Sequence, residues 1–234
     1  MTDNPTRSQD TILKVSDLSH WVDLAEDTLT ILQGVSLEIK RGESVAIVGR
    51  SGSGKTTLLG LLAGLDVPSQ GKVHLDGAEI SALSEDQRAQ LRAQRVGFVF
   101  QSFQLLPAMT ALENVMLPLE LAGHDQPEAS ARELLERVGL GDRISHTPRQ
   151  LSGGEQQRVA IARAFASHPV ILFADEPTGN LDNHTGQAIS DLMMALNREQ
   201  GTTLVMVTHD QQLADRCDRQ FAIDGGALHE VVRS

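Results

Sequence analysis

The chain has 234 residues, 40% hydrophobic and 22% charged, with a net charge of −11, which suits one large α/β domain with an ample core and excludes a disordered chain. The acidic balance also excludes nucleic acid as the main partner and adhesion to anionic lipid, and a lone cysteine, Cys217, excludes a disulfide framework. No apolar run approaches the roughly 20 residues of a bilayer span, and the polar stretch Met1 to Asp10 lacks the apolar core of a secretory signal.

In chain order, Ile12, Val15 and Leu18, then Leu29, Ile31, Val35, Leu37 and Ile39, predict an antiparallel β layer. Ser44-Val45-Ala46-Ile47-Val48 predicts a buried strand, and Thr57 to Leu65 a helix. Between them Gly49-Arg50-Ser51-Gly52-Ser53-Gly54-Lys55-Thr56 fits the pattern G-x-x-x-x-G-K-[ST]. Strand, glycine loop and helix form the arrangement in which backbone N–H groups wrap phosphates, and a side chain at the glycines would strike the phosphate or forbid the turn. Lys55 is expected to reach the β- and γ-phosphates and the Thr56 hydroxyl to bind Mg²⁺. The candidate nucleotide-binding residues are therefore Gly49, Arg50, Ser51, Gly52, Ser53, Gly54, Lys55, Thr56 and Thr57.

Ser84 with Gln87 predicts a capped polar helix to Arg95, followed by a strand over Val96 to Phe100. Thr110 with Glu113 is a capping box opening a helix from Ala111 to Leu121, and Pro127 opens another over Glu128 to Val138 with an apolar stripe of Leu134, Leu135 and Val138. In Leu151-Ser152-Gly153-Gly154-Glu155-Gln156-Gln157-Arg158, Ser152 and Glu155 form a further capping box, ahead of a helix face of Val159, Ile161, Ala162 and Phe165. A capped helix start with two glycines offers bare N–H groups and a positive dipole end, so Ser152 and Gly154 are candidate phosphate contacts. Val170 to Ala174 predicts a strand buried on both faces, with Asp175 and Glu176 at its carboxyl end, where open α/β sheets place their ligands. Thr203 to Thr208 predicts another strand, ended by His209, and Asp224-Gly225-Gly226 a turn between two short strands. An isolated Ser-x-x-Glu marks only a helix start, and an isolated Asp-Glu only two solvated acids; together with the phosphate loop they point to nucleotide chemistry.

LSGGEQQR, between that loop and the acidic pair, resembles the signature of ATP-binding cassette (ABC) ATPases, and the resemblance covers almost the whole chain, from about Thr11 to Val232. It implies an α/β P-loop NTPase fold: a RecA-like core, an antiparallel β subdomain and an α-helical subdomain. The expected layout is a single ABC ATPase domain over 11–234, with 11–101 and 166–234 as the nucleotide-binding core and β subdomain, and 102–165 as the helical and signature subdomain. The resemblance makes Asp175 a holder of Mg²⁺ through water and Glu176 the general base that polarises the attacking water. Gln101 matches the Gln loop that senses Mg²⁺ and the γ-phosphate, and His209 the switch histidine near the γ-phosphate. The catalytic set is thus Glu176, His209 and Gln101, and the metal set Thr56, Gln101 and Asp175, with ATP and Mg²⁺ as cofactors. Asn180-Leu181-Asp182 matches the loop that crosses to the other subunit, and a head-to-tail homodimer would bring each signature onto its partner's γ-phosphate.

One position departs from the family pattern. Members usually stack adenine on an aromatic residue, most often Tyr, but this chain contains no tyrosine. The equivalent position falls near Val22, with Trp21 beside it; either Trp21 stacks on the base or Val22 makes only apolar contact.

Phe98-Val99-Phe100-Gln101-Ser102-Phe103-Gln104-Leu105-Leu106-Pro107, then Thr110 to Val115, Asp175 to Asp182 and Leu196 to Glu199, are similar to the lipoprotein-releasing and macrolide-export branch, nearest to a less-characterised bacterial paralogue of the lipoprotein-release ATPase. That branch implies an integral-membrane permease subunit with a large extracytoplasmic domain, and a cytoplasmic ATPase held peripherally on the inner membrane through it. Phe103, Leu105 and Leu106 are candidate docking residues or packing residues of the helical subdomain. The alternative is a cell-division type of ABC ATPase that signals through a membrane protein without transport.

Overall fold

The computed structural model describes residues 10–24 and 27–231. Its strands and helices run β1 (Thr11–Asp23), β2 (Thr28–Lys40), β3 (Ser44–Val48), α1 (Lys55–Leu62), β4 (Gln70–Leu75), β5 (Ala78–Glu79), α2 (Glu85–Arg95) and β6 (Val96–Val99). They continue as α3 (Ala111–Leu121), α4 (Pro127–Arg137), α5 (Gly153–Phe165), β7 (Ile171–Asp175), α6 (Asn183–Gln200), β8 (Thr203–Thr208), α7 (Gln211–Ala214), β9 (Arg219–Asp224) and β10 (Ala227–Val231). The chain divides into two compact units, Met1–Gln90 with Thr203–Ser234 and Leu91–Thr202. Of the expected domain, residues 25–26 and 232–234 lie outside the described residues.

In the first unit β2, β1, β4 and β5 form an antiparallel sheet in that order. Ile12, Val15 and Leu18 are buried, as their pattern predicts, but the β2 face is Leu32, Val35, Leu37 and Ile39. Leu29 is 55% exposed and Ile31 half-buried, so the expected face through those two is corrected. The cause is an irregularity in the ladder, where Leu18 pairs with Val35 but His20 with Leu32, and Gly34 sits at φ 61. One extra residue shifts the side-chain alternation by one and turns Leu32 inward in place of Ile31.

Beside this layer β9 and β8 flank β3, both parallel to it, and β10 closes antiparallel on β9. Val45, Ala46 and Ile47 on β3, and Leu204 to Val207 on β8, are fully buried, which is why these strands read as continuous apolar runs. Gly225 and Gly226 have φ of 55° and 81°, the two positive angles that a two-residue hairpin of this kind requires. Helix α1 starts at Lys55, two residues before the expected Thr57, because Gly54 adopts φ 93 at the cap and lets the chain enter the helix directly from the loop. Leu58, Leu59, Leu61 and Leu62 bury its apolar side, each worth about 1.5–3 kcal/mol of transfer from water.

In the second unit β6 and β7 pair in parallel. Helix α3 opens with the expected box: Thr110 Oγ1 accepts from Glu113 N at 3.2 Å, while Glu113 accepts from Thr110 N at 2.7 Å. Helix α4 carries Pro127 in its first turn and buries Ala131, Leu134 and Leu135, with Val138 buried just beyond its end. Helix α5 is buried on more than the expected face, since Gln157, Ala160 and Ala164 join Val159, Ile161, Ala162 and Phe165. Asp182 caps α6 by accepting from Thr185 N at 3.0 Å.

Candidate active site

The first unit carries the phosphate loop. It leaves the end of β3 and enters α1, so the helix N-terminus and its backbone N–H groups point to the loop. Lys55 is 8% exposed, and its Nζ donates to the carbonyls of Gly49 at 2.9 Å and Arg50 at 3.0 Å. The ammonium is thus held against two carbonyl oxygens of the loop itself. Ser53 Oγ is buried without a hydrogen-bond partner, a hydroxyl turned to the inside of the same loop. Thr56 is exposed and Thr57 half-buried on the first turn.

An open pocket of about 400 Å³ adjoins the loop. Arg50 to Ser53 form one wall, Leu29 to Ile31 of β2 another, and the 224–226 hairpin turn a third. This apolar wall is supplied by the β2 residues that the bulge turned away from the core. Val22 pairs directly with Leu29 across the β1–β2 ladder and is 42% exposed, so it extends the same aliphatic surface. Trp21 is half-buried, its backbone N–H donating to Ser69 Oγ at 3.2 Å. His209 follows the last residue of β8 and is exposed, and Asp210 after it caps α7.

The second unit carries the acidic pair, the Gln loop and the signature. Asp175 is the last residue of β7, and Glu176 follows at φ 45, a left-handed backbone that costs a residue with a Cβ roughly 1–2 kcal/mol. The chain turns here, and Gly179 N donates back to the Glu176 carbonyl at 3.0 Å. Gln157, fully buried on α5, donates from Nε2 to Pro177 O at 2.7 Å and so ties the signature helix to the acidic segment. Gln101 is exposed and doubly tied to Asn180: its Nε2 donates to Asn180 Oδ1 at 3.4 Å, and Asn180 Nδ2 donates to Gln101 O at 2.9 Å. Two loops picked out separately in the sequence therefore meet here.

At the signature, Ser152 Oγ accepts from Glu155 N at 3.3 Å, and Glu155 accepts from Ser152 N at 2.8 Å and Oγ at 2.9 Å. The Ser152 backbone N–H, first and then its hydroxyl, hold the Glu155 carboxyl below the ordinary glutamate range, with Arg143 at 3.4 Å adding to them. Ser152 is exposed and the two glycines half-buried, so the dipole end of a thirteen-residue helix is presented at the surface. Gly154 has its back to Thr185, whose Cγ2 would stand 2.7 Å from an added Cβ. Gly153 has room, its nearest neighbour being Leu181 at 3.5 Å.

Residues 32–179 match the family described as ABC transporter. The chain belongs to that family. It is 58% identical over 221 residues to the uncharacterized ABC transporter ATP-binding protein YbbA of Escherichia coli (strain K12), across 94% of this chain and 97% of that protein. It is 51% identical over 226 residues to the lipoprotein-releasing system ATP-binding protein LolD of Pseudomonas syringae pv. tomato, across 96% of this chain and 100% of that one. Among solved structures it matches dimeric MJ0796, a bacterial ABC transporter cassette, with a TM-score of 0.87 at 40% identity, over 95% of this chain and 100% of that one. A post-hydrolysis dimer of the same cassette bound to ADP and Pi also superposes at 0.87, with 39% identity over the same shares. This ABC ATPase has the family's α/β fold with its antiparallel sheet and helical segment, and it is the ATP-binding, ATP-hydrolysing subunit of a transporter.

Three residues of this cassette escaped the sequence reading: Asn114, Gln157 and Arg163. Arg163 interrupts the apolar stretch Ile161-Ala162-Arg163-Ala164-Phe165, a signal the sequence does offer, whereas Gln157 lies among the polar residues Gln156 and Arg158 and Asn114 follows Glu113, so nothing local sets those two apart.

Proposed function

We propose that two copies of this cassette close head to tail on ATP and drive a permease subunit with a large extracytoplasmic domain, as part of an inner-membrane complex that extracts or releases lipoproteins or other hydrophobic compounds. The observation that carries this reading is the exposed, capped N-terminus of α5, a helix end whose dipole suits an anion, in a chain that separately holds a phosphate loop. Kinship with LolD, named for a lipoprotein-releasing system, and with dimeric MJ0796 supports the partner and the pairing. No helix among the described residues is long and apolar enough to cross a membrane, which agrees with attachment through another protein on the cytoplasmic side. The layout of a single domain over 11–234, with 102–165 as its helical and signature part, belongs to the same proposal.

The residue roles follow from chemistry. Lys55 and the N–H groups of 49–57 hold the phosphates, and Glu176 takes a proton from the attacking water. His209 steadies the γ-phosphate and Gln101 reports on it. Among the described residues no group of three or more His, Cys, Asp or Glu is arranged to hold a metal. Mg²⁺ is ordinarily held by one or two carboxylates together with substrate phosphates and waters. Asp175 is the carboxylate proposed here, with Thr56 and Gln101 as neutral oxygen donors, and the ion would neutralise charge developing on the phosphoryl oxygens. At the base, the aliphatic surface of Val22, Leu29 and Ile31 gives apolar contact in place of an aromatic stack.

Glu176→Gln with ATP and Mg²⁺ tests the pairing by light scattering. The expected outcome is a stable dimer that does not turn over, because the amide cannot accept the proton. Adding Gly153→Asp, which has room in the monomer but sets a carboxylate against the partner's phosphate, is expected to leave ATP binding intact and abolish the dimer. A dimer that survives this second change removes the signature from the interface.

A further inference from the structure

Arg163 sits on α5, half-buried, and its guanidinium spreads over two successive backbone carbonyls: Nη1 donates to Gln104 O at 2.6 Å and Nη2 to Phe103 O at 3.0 Å. Those residues are the two consecutive left-handed positions of this segment, with φ of 60° at Phe103 and 47° at Gln104, although both carry a Cβ. Gln104 N closes on Ser102 O at 2.6 Å, which makes Phe103 the centre of a γ-turn of the rare, strained kind. Such a turn persists only where its surroundings over-determine it. The planar fork of an arginine suits two adjacent acceptors, and an ammonium would serve them less well.

The same segment is pinned at its other points. Asn180 holds Gln101 at the start through the two amide bonds given above. Asn114, 1% exposed on α3, holds the end: it accepts from Leu106 N at 2.8 Å and donates to the carbonyls of Leu106, Met109 and Thr110 at 2.9–3.2 Å. Residues 101–110 thus form a strap whose strained middle is held by Arg163 of the signature helix. Arg163 also lines a groove of about 250 Å³ together with Phe98, Phe100, Gln104 and Pro118, and the two phenylalanines stack at 4.1 Å.

We propose that Arg163 is a positioning residue for hydrolysis: by holding the strained Phe103–Gln104 turn it sets where Gln101 stands, and so links the signature helix to the hydrolytic site of its own chain. The inference rests on the role given to Gln101 above and adds a residue whose guanidinium is bonded to the strap. A charged fork on two carbonyls fixes the turn without covalent stiffness, so tension on the strap can still move it.

The test measures ATP affinity, kcat, KM and the Mg²⁺ concentration for half-maximal rate on the purified chain. Arg163→Lys keeps the charge and loses the fork. It is expected to bind ATP within about twofold of the parent while kcat falls about tenfold, because a small displacement of a positioned group is felt in turnover and not in binding. Its Mg²⁺ requirement should rise in the same sense as that of Gln101→Ala. Gln104→Gly, which removes the Cβ that disfavours the turn, is expected to restore most of the lost kcat when combined with Arg163→Lys. A purely structural role for Arg163 predicts a lower melting temperature and no such rescue. Parental kcat in Arg163→Lys, or a loss that Gln104→Gly leaves untouched while Gln101→Ala is impaired, overturns the inference itself. If Gln101→Ala hydrolyses ATP at the parental rate, the underlying reading of Gln101 fails, and this proposal fails with it.

Discussion

In the proposed reading Lys55 holds the loop first and the phosphates second. Its bonds to Gly49 O and Arg50 O hold the ammonium close to the loop, so little side-chain freedom remains to be lost when phosphates arrive. Lys55→Ala is expected to weaken ATP binding by at least about 100-fold and to abolish hydrolysis, since charge-assisted bonds to phosphate are each worth about 1.5–3 kcal/mol and more than one is lost. Equilibrium binding of a fluorescent ATP analogue checks this, and a near-parental Kd would remove Lys55 from the phosphates. Gly154 makes a different point. An added methyl would stand 2.7 Å from Thr185 Cγ2, inside van der Waals contact with a β-branched side chain that has little freedom to turn. Gly154→Ala should therefore destabilise the isolated chain by about 1–3 kcal/mol, whatever it does to a dimer. Thr185→Ser deletes the opposing methyl and is expected to restore most of the melting temperature in the double variant; no restoration would show that the clash is not the cause. Replacements at Gly154 consequently confound folding with dimer contact, whereas Gly153 separates them.

Among the elements, the helix starts were the most legible part of the sequence, because a capping box is local chemistry: Ser84 with Gln87, Thr110 with Glu113 and Ser152 with Glu155 all formed as their spacing required. The phosphate loop was legible for the same reason, since glycines and a lysine at fixed offsets permit few other readings. What the sequence concealed was decided by distant contacts or by backbone irregularity. The bulge at Gly34 turned Leu32 inward against the simple alternation, and Arg163 and Gln157 found partners 59–60 and 20 residues away that no local pattern announces. The caps also carry a pH signature. Glu113 and Glu155 are held below the ordinary glutamate range first by the backbone N–H, then by the hydroxyl, of Thr110 and Ser152, and Asp182 is held low by the Thr185 side chain and backbone. A carboxyl with a lowered folded pKa contributes stability that is fully present above its unfolded pKa and lost as pH falls through the folded value. The starts of α3 and α5 are thus expected to loosen below about pH 4.3 and that of α6 below about pH 3.9, each insensitive above its own value. Amide hydrogen exchange across that interval should show protection in these first turns falling ahead of β3 and β8; simultaneous loss everywhere would count against the caps as the sensitive points. Glu155→Gln, which keeps the box but cannot titrate, should blunt the effect in α5 alone.

At the scale of the whole molecule, the acidic balance and the strap together bear on how a membrane partner is engaged. A net charge of −11 opposes direct adhesion to anionic lipid, so recruitment should depend on protein contact. Leu106 is 41% exposed at the outer end of the strap, and Leu105 and Phe103 are half-buried beside it. Asn114 fixes the backbone on which Leu106 stands, so the apolar side chain is offered from a rigid base. A helix of the permease seated on this strap would bear on the segment that begins at Gln101, and by linkage ATP would alter how firmly the partner is held. The chain alone is expected to be largely monomeric with slow hydrolysis, and reconstitution with its permease in lipid to raise the rate several-fold. Leu106→Asp is expected to abolish most of that stimulation, because burying an unpaired carboxylate in an apolar contact opposes docking by several kcal/mol, while the basal rate changes by less than about twofold. Phosphate release with and without the permease, on protein of parental circular dichroism, separates the two. A Leu106→Asp chain stimulated as strongly as its parent would move the contact elsewhere on the molecule, and an isolated chain already at full rate would leave the permease no part in setting the speed.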